Sequence, residues 1–355
     1  VSDPARRANV IGLGLIGGSV ALRLRELGWH VAGDDLDSAT AAEALERGVV
    51  DVLAVDPTAE ITFVAVPVLA AADQVKRALA ETTGAVTDVG SVKAAICGTC
   101  DDPRFVGGHP MAGSELDGLD GAQADLFNGA VWVLTPVPHS DDTVFAQVAS
   151  IVASLGAEVV ALSPSRHDQL VAVVSHVPHL TAATLMGLAS ERAEEHAALL
   201  RLAAGGFRDM TRVASGRPGI WLDICAENRP AIVDVLDQLI AGLTEMRDIV
   251  GSDDRERLYA LLTAARQARA NLPARVMHPD ELAEVRIPIP DRAGAAAEVF
   301  TLAAELSVNI ASFEVVHVAE STRGVAVVLV DRALVELFRG GLLARGFRPA
   351  VQALS

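Results

Sequence analysis

Five short stretches carry the residue types that chemistry needs, and the first lies at the N-terminus. Asn9-Val-Ile-Gly-Leu-Gly-Leu-Ile-Gly17 fits Gly-x-Gly-x-x-Gly. The pattern becomes informative where it follows a strand and opens a helix. Residues 8–13 form a short apolar run, and residues 16–27 place apolar side chains at helical spacing. Gly12 allows the tight turn, Gly14 lets backbone approach a pyrophosphate, and Gly17 lets helix pack on strand. The amides of Leu15 and Ile16 would then face the phosphates at a helix N-terminus. A second strand ends in Gly33-Asp34-Asp35. A carboxylate there accepts hydrogen bonds from the adenosine ribose and repels a 2′-phosphate. Asp35 is assigned that role, with Asp34 as the alternative. No arginine stands near them in sequence to meet an NADP phosphate, so NAD is the expected cofactor. Val66 and Pro67, closing the strand over residues 61–66, complete the predicted cofactor set.

The other stretches suit a reacting substrate. Asp88-Val-Gly-Ser-Val-Lys93 follows a strand, where open α/β sheets form their binding crevice. Ser91 there could equally cap the next helix. In Gly107-Gly-His-Pro-Met-Ala-Gly113, flanking glycines and proline predict that His109 sits on a shaped turn. Ser175-His-Val-Pro-His179 puts two imidazoles three residues apart. They could be zinc ligands, but no third ligand follows at metal spacing, so no metal is predicted. Gly205-Gly-Phe-Arg-Asp-Met-Thr-Arg212 ends in a guanidinium suited to a carboxylate, or simply to solvent. Cys97-Gly-Thr-Cys100 has half-site spacing without a second pair, and reads as two structural thiols.

The elements that must position these residues fall into three regions. Helix and strand signals alternate over residues 1–163, which predicts a Rossmann-type parallel sheet with helices on both faces. Residues 164–272 read as all-helical, with long apolar helices at 165–188, 190–204, 219–250 and 253–271 and connections at 209–217 and 251–254. Those helices suggest burial against a second subunit, hence a homodimer. Residues 272–280 hold two prolines and read as a linker. Residues 281–355 follow a β-α-β-β-α-β order, the ferredoxin-like split arrangement. A chain of 355 residues suits two or three domains. Its net charge of −17 disfavours nucleic acid and anionic membranes as partners. No apolar run reads as a membrane span and no stretch reads as a secretion signal. Three cysteines give no disulfide framework, and a cytoplasmic location is expected from them.

These motifs, in this order, resemble the prephenate dehydrogenase family. The likeness rests on the glycine fingerprint, the GSVK stretch, GGHPMAGSE, SHVPH, and GGFRDMTR followed by Trp221, over residues 8 to about 270. Arg208 falls where the family often has lysine. The tail is similar to an ACT regulatory domain, on Pro290-Asp-Arg-Ala-Gly294 and Val308-Asn-Ile310.

The resemblance implies an oxidative decarboxylation. A hydride leaves the hydroxyl-bearing ring carbon for NAD, the ring carboxylate departs as carbon dioxide, and aromatisation drives the reaction. His109 would accept the hydroxyl proton, and Ser91 would bond the same hydroxyl and orient the imidazole. Arg212 would pair with a substrate carboxylate, while His179, His176 and Trp221 would line the pocket, with the partner subunit as an alternative source of Trp221. The tail implies feedback by tyrosine near Asp291, Gly294, Asn309 and Ile310, with phenylalanine as another candidate effector. Arogenate is the rival substrate, because it keeps the ring carboxylate and hydroxyl. Two further readings compete: a β-hydroxy acid dehydrogenase, and a non-enzymatic sensor of NAD and an amino acid. The first typically uses a lysine in its helical domain, and residues 164–272 contain none. Retention of His109, Ser91 and Arg212 speaks against the second.

Overall fold

A computed structural model describes residues 6–113, 116, 118–195, 200–270, 282–290, 294–317 and 323–353. The chain forms two compact units, Val1–Arg255 and Glu256–Ser355.

In the first unit β1 (Arg7–Ile11), α1 (Leu15–Glu26), β2 (His30–Asp34), α2 (Ser38–Glu46), β3 (Val52–Leu53), β4 (Ile61–Val64), α3 (Val68–Glu81), β5 (Ala85–Asp88) and α4 (Ala94–Gly98) alternate along the chain. They are followed by β6 (Phe105–Pro110), β7 (Val131–Thr135), α5 (Asp142–Ser154) and β8 (Glu158–Ala161). The sheet order is β3-β2-β1-β4-β5-β6-β7-β8. Strands β4 and β5 are buried throughout, as expected where helices cover both faces. Leu13, Leu24 and Phe63 pack in this core with Trp132, whose ring meets Phe63 and Phe127.

The parallel arrangement predicted from sequence holds from β1 to β6 and is corrected beyond it. Strand β7 runs antiparallel to β6, and β8 runs parallel to β7. A parallel neighbour needs a crossover, usually helical. Among the described residues, the segment between β6 and β7 supplies only a 3₁₀ turn at Gly118–Gly121, so the chain turns back.

The helical stretch comprises α6 (Pro164–Val171), a π-helical turn at Ala172–His176, α7 (Val177–Glu195), α8 (Gly205–Thr211), a 3₁₀ turn at Arg212–Ser215, α9 (Pro218–Glu227), α10 (Arg229–Gly251) and α11 (Arg255–Ala270). The single helix expected over 219–250 breaks at Asn228, because Pro230 starts a new helix and cannot continue the old one. The connection expected over 209–217 is helical as far as Thr211. Pro164–Arg192 is long and apolar enough to cross a bilayer by length and composition alone, which corrects the sequence reading that no run qualified. Within it His167, Asp168 and His176 are buried and hydrogen-bonded to protein, as in a core helix.

Helix α11 falls in the second unit. The unit also holds β9 (Leu282–Pro290), α12 (Ala295–Glu305), β10 (Ile310–His317), β11 (Arg323–Asp331), α13 (Val335–Ala344) and β12 (Ala350–Ala353). The four strands form a small antiparallel sheet in the order β10-β11-β9-β12. Val285 and Ile287 of β9 pack with Val299 of α12 and Phe338 of α13 to form its core.

Candidate active site

The glycine fingerprint builds a cleft at the C-terminal ends of the central strands. Gly12 has φ +91°, and a Cβ there would strike the Ala65 carbonyl. A Cβ on Gly17 would strike the Gly12 carbonyl, so helix and turn touch backbone to backbone. A Cβ on Gly14 would meet nothing within 4 Å, so its backbone faces open space. Gly14 caps α1 without a side-chain acceptor for the helix amides. These features fit a dinucleotide, whose pyrophosphate would lie against Gly14 and the amides of Leu15 and Ile16.

Two cavities continue this surface. One of about 550 Å³ is lined by Gly12, Gly14, Asp34, Asp35, Val66, Pro67 and Arg77, among others. One of about 330 Å³ shares Gly14, Val66 and Pro67, and adds Leu15, Ile16, Ser91, Arg217 and Asp223. The Asp35 carboxylate accepts from the Leu13 amide at 2.7 Å and the Asp37 amide at 2.9 Å, so it braces the glycine turn while lining the cleft. The sequence reading found no arginine near these acids, and the fold corrects it. Arg77 of α3 lines the same cavity and binds Asp34 at 2.7 Å and Glu81 at 3.0 Å.

His109 lies near the end of strand β6, opposite Val133, rather than on the turn expected for it. The glycines before it are explained by crowding. A Cβ on Gly108 would lie 2.6 Å from the Asp88 carbonyl oxygen and 2.9 Å from Trp132 Nε1. Lys93 and Asp88 form a wholly buried ion pair beside it. Lys93 Nζ donates to the Gly108 carbonyl at 2.8 Å, and the Gly108 amide donates to Asp88 Oδ1 at 3.1 Å. Such a pair fixes geometry more than it adds stability, since losing either partner strands a buried charge.

The His109 ring is held edge-on by His167 of α6, with centroids 5.0 Å apart and Nδ1 2.8 Å from His167 Nε2. Burial, and then His167, Lys93 and His176, push its pKa well below the usual imidazole range. His176 Nδ1 lies 3.1 Å from Asn228 Nδ2, and burial lowers the His176 pKa to about 4. Because the amide nitrogen of Asn228 has only protons to offer, His176 Nδ1 is the acceptor. His179 stacks on Trp221 with centroids 3.6 Å apart and planes 12° apart, and burial lowers its pKa.

A family model for the prephenate dehydrogenase nucleotide-binding domain matches residues 20–161, and one for the prephenate dehydrogenase dimerization domain matches residues 163–264. The chain belongs to the prephenate dehydrogenase family. A prephenate dehydrogenase of Bacillus subtilis is 32% identical, covering 88% of this chain and 89% of that protein. A cyclohexadienyl dehydrogenase of Zymomonas mobilis is 34% identical, covering 74% of this chain and 94% of that protein. Among solved structures, Aquifex aeolicus prephenate dehydrogenase with hydroxyphenyl propionate and NAD⁺ superposes with a TM-score of 0.71 at 27% identity, covering 77% of this chain and all of that one (100%).

Within this family frame, the fold brings His176, His179 and Trp221 together as one ring cluster within a single chain. Ser91 is half-buried at the smaller cavity, but the partner that orients the His109 ring is His167. Arg212 is exposed at the head of its 3₁₀ turn, and Arg217, which sequence reasoning passed over, lines the smaller cavity. No group of three metal-ligating residues stands together among the described residues. Cys97 and Cys100 are buried free thiols, and burial pushes Cys97 up to about 11, the opposite of a reactive thiolate. His167 and Asp168 were missed outright. Their one signal was an imidazole directly followed by a carboxylate at the head of the helical stretch.

Proposed function

We propose that this chain converts prephenate to 4-hydroxyphenylpyruvate, the tyrosine precursor, with NAD as cofactor. NAD, when bound along the glycine cleft, accepts the hydride that the ring carbon gives up. The observation that carries the reading is the buried imidazole of His109, set near the end of β6 in the same sheet that builds the cleft, where burial favours its neutral form. His109 would take the substrate's 4-hydroxyl proton, as a base must be unprotonated to do. Ser91 would bond that hydroxyl. Gly12, Gly14, Leu15, Ile16, Gly17, Val66 and Pro67 would hold the dinucleotide, and Asp35 its ribose. His176, His179 and Trp221 would wall the substrate, with Arg212 answering a carboxylate and Arg217 a second cation at the cleft.

The chain divides in this reading into a nucleotide domain over 1–163, a helical domain over 164–272 and an ACT-like domain over 281–355. Exposed Leu222, Ile240, Leu243 and Val250 on α9 and α10 support a homodimer through the helices. The β-α-β-β-α-β order and sheet order of the second unit support the ACT assignment, with tyrosine bound near Gly294, Asn309 and Ile310. Asp291, assigned to the same site, lies outside the described residues. Free thiols support a cytoplasmic location.

Steady-state assays with prephenate and arogenate test the substrate. Prephenate should show the larger kcat/KM, and a large preference for arogenate would overturn the choice. His109→Asn should lower kcat by about 10²–10⁴ while the Kd for NAD hardly moves, because the base acts only in the chemical step.

A further inference from the structure

The partners of Asp168 dictate where the protons of two histidines sit. Asp168 Oδ1 accepts from the Lys93 amide and Oδ2 from the Ala94 amide, both at 2.8 Å. With both oxygens engaged as acceptors, the carboxylate can only accept from His167 Nδ1, 2.8 Å away. An imidazole whose one ring proton is on Nδ1 presents a bare Nε2. That nitrogen faces His109 Nδ1 at 2.8 Å, so His109 must donate from Nδ1 and keep Nε2 bare.

We propose that His167 and Asp168 are positioning residues, which fix His109 in its Nδ1–H tautomer and steady the charge it carries while holding the substrate's proton. The inference rests on the reading that prephenate is the substrate. As the ring carbon loses its hydride, the hydroxyl O–H bond breaks, an Nε2–H bond forms and the oxygen becomes a carbonyl. The bond from the ring to its carboxylate then breaks and carbon dioxide leaves. The bonding pair moves through the ring to the carbonyl oxygen, which takes the proton back from Nε2 as a phenol. No proton is gained or lost overall, so the base must lend one and recover it. Between the two transfers His109 is an imidazolium that is 9% exposed, next to a wholly buried His167. Water cannot stabilise it there. Two hydrogen bonds in series to a carboxylate can, because bonds to charged groups strengthen in a low-dielectric interior. The other charged and titratable groups facing the ring are Lys93, paired with Asp88, and His176, bonded to Asn228. Neither partner offers His109 Nδ1 an alternative acceptor. The triad of serine proteases uses its aspartate in the same capacity, to hold a histidine tautomer.

Asp168 also caps α4, so His167 is the residue to vary. His167→Phe keeps a ring but deletes both nitrogens, and His167→Gln retains an amide oxygen to accept from His109. The Phe variant should lose about a hundredfold or more in kcat, with substrate KM changed by about threefold at most. The Gln variant should recover at least about tenfold of that loss. Nitrogen-15 histidine spectra of the wild-type chain without substrate should show His109 protonated on Nδ1. A Phe variant with near-normal kcat, a Gln variant no better than Phe, or His109 protonated on Nε2 would each overturn the proposal. The spectra decide even if the Phe variant fails to fold. They are also independent of substrate, so wild-type inactivity on prephenate would sink the functional reading without touching the tautomer.

Discussion

At the scale of single residues, the cofactor cleft turns on a pairing between side chains far apart in sequence. Asp34 and Arg77 pair in the wall of the glycine cleft, and Asp35, which lines the same cavity, braces the glycine turn. An arginine tied to an acid is not free for a phosphate. Asp34→Ser should release Arg77 Nη1, with Nε still held by Glu81, and lower the KM for NADP by about tenfold or more relative to NAD, since each such charge-assisted contact carries about 1.5–3 kcal/mol. Adding Arg77→Ala should reverse the gain, and kcat/KM for both cofactors would show it; an unchanged preference would remove Arg77 from the ribose site. The base gives a second prediction. Activity requires neutral His109, so it is lost as pH falls through that residue's pKa. Because the pKa is depressed, the acid limb of kcat/KM should lie below about pH 6.5, the ordinary histidine value. A limb at or above that value would mean that another group limits the reaction. The types of His109, Ser91 and Asp35 were legible from motifs. The roles of His167 and Arg77 were not, because each depends on a contact across more than forty residues (58 to His109, 43 to Asp34).

At the scale of elements, legibility followed length. The glycine turn, α1 and the long helices carry strong periodic signals. Strands β6, β7 and β8 hold six, five and four residues, and β6 contains Gly107, Gly108 and Pro110, which read as turn residues. Here the glycines serve close approach between strands rather than a bend. The π turn at Ala172–His176 was equally hidden, since a single widened turn hardly disturbs apolar periodicity. It lies between His167, which serves His109, and His179, and ends at His176; His176 and His179 pack on Trp221. Deleting Val174, an exposed member of that turn, should restore ordinary helical register and rotate His179 by about 100° relative to His167. The stack on Trp221 would then be lost. We expect kcat/KM to fall by about tenfold or more, as misplacement far from the chemistry can cost 10²-fold. Tryptophan fluorescence should change with it while the far-ultraviolet circular dichroism stays helical. Unaltered fluorescence and activity would show that the π turn does not set the ring cluster.

At the scale of the whole molecule, the question is what the second unit adds. The Zymomonas relative is covered over 94% of its length by 74% of this chain, so a cyclohexadienyl dehydrogenase is essentially complete without a counterpart to the remainder. The Bacillus match covers 88% of this chain, and so must extend well past residue 264 into the second unit. A catalytic part that stands alone in one relative, with an extra module in another, is the arrangement expected of regulation added to an existing enzyme. The antiparallel sheet has its own core, and Gly294 opens α12 with φ +87° and, as a glycine, brings no side-chain cap of its own. Tyrosine carries a carboxylate that such a helix start favours. We therefore expect tyrosine to bind the full-length chain by calorimetry and to raise the apparent KM for prephenate or lower kcat. A chain ending at residue 270 should keep most of its activity and lose that sensitivity. Coupling must be reciprocal, so prephenate should weaken tyrosine binding in the full-length chain by the same factor that tyrosine weakens prephenate binding. Inhibition that survives the truncation and competes only with prephenate would instead place tyrosine at the ring cluster of His179 and Trp221.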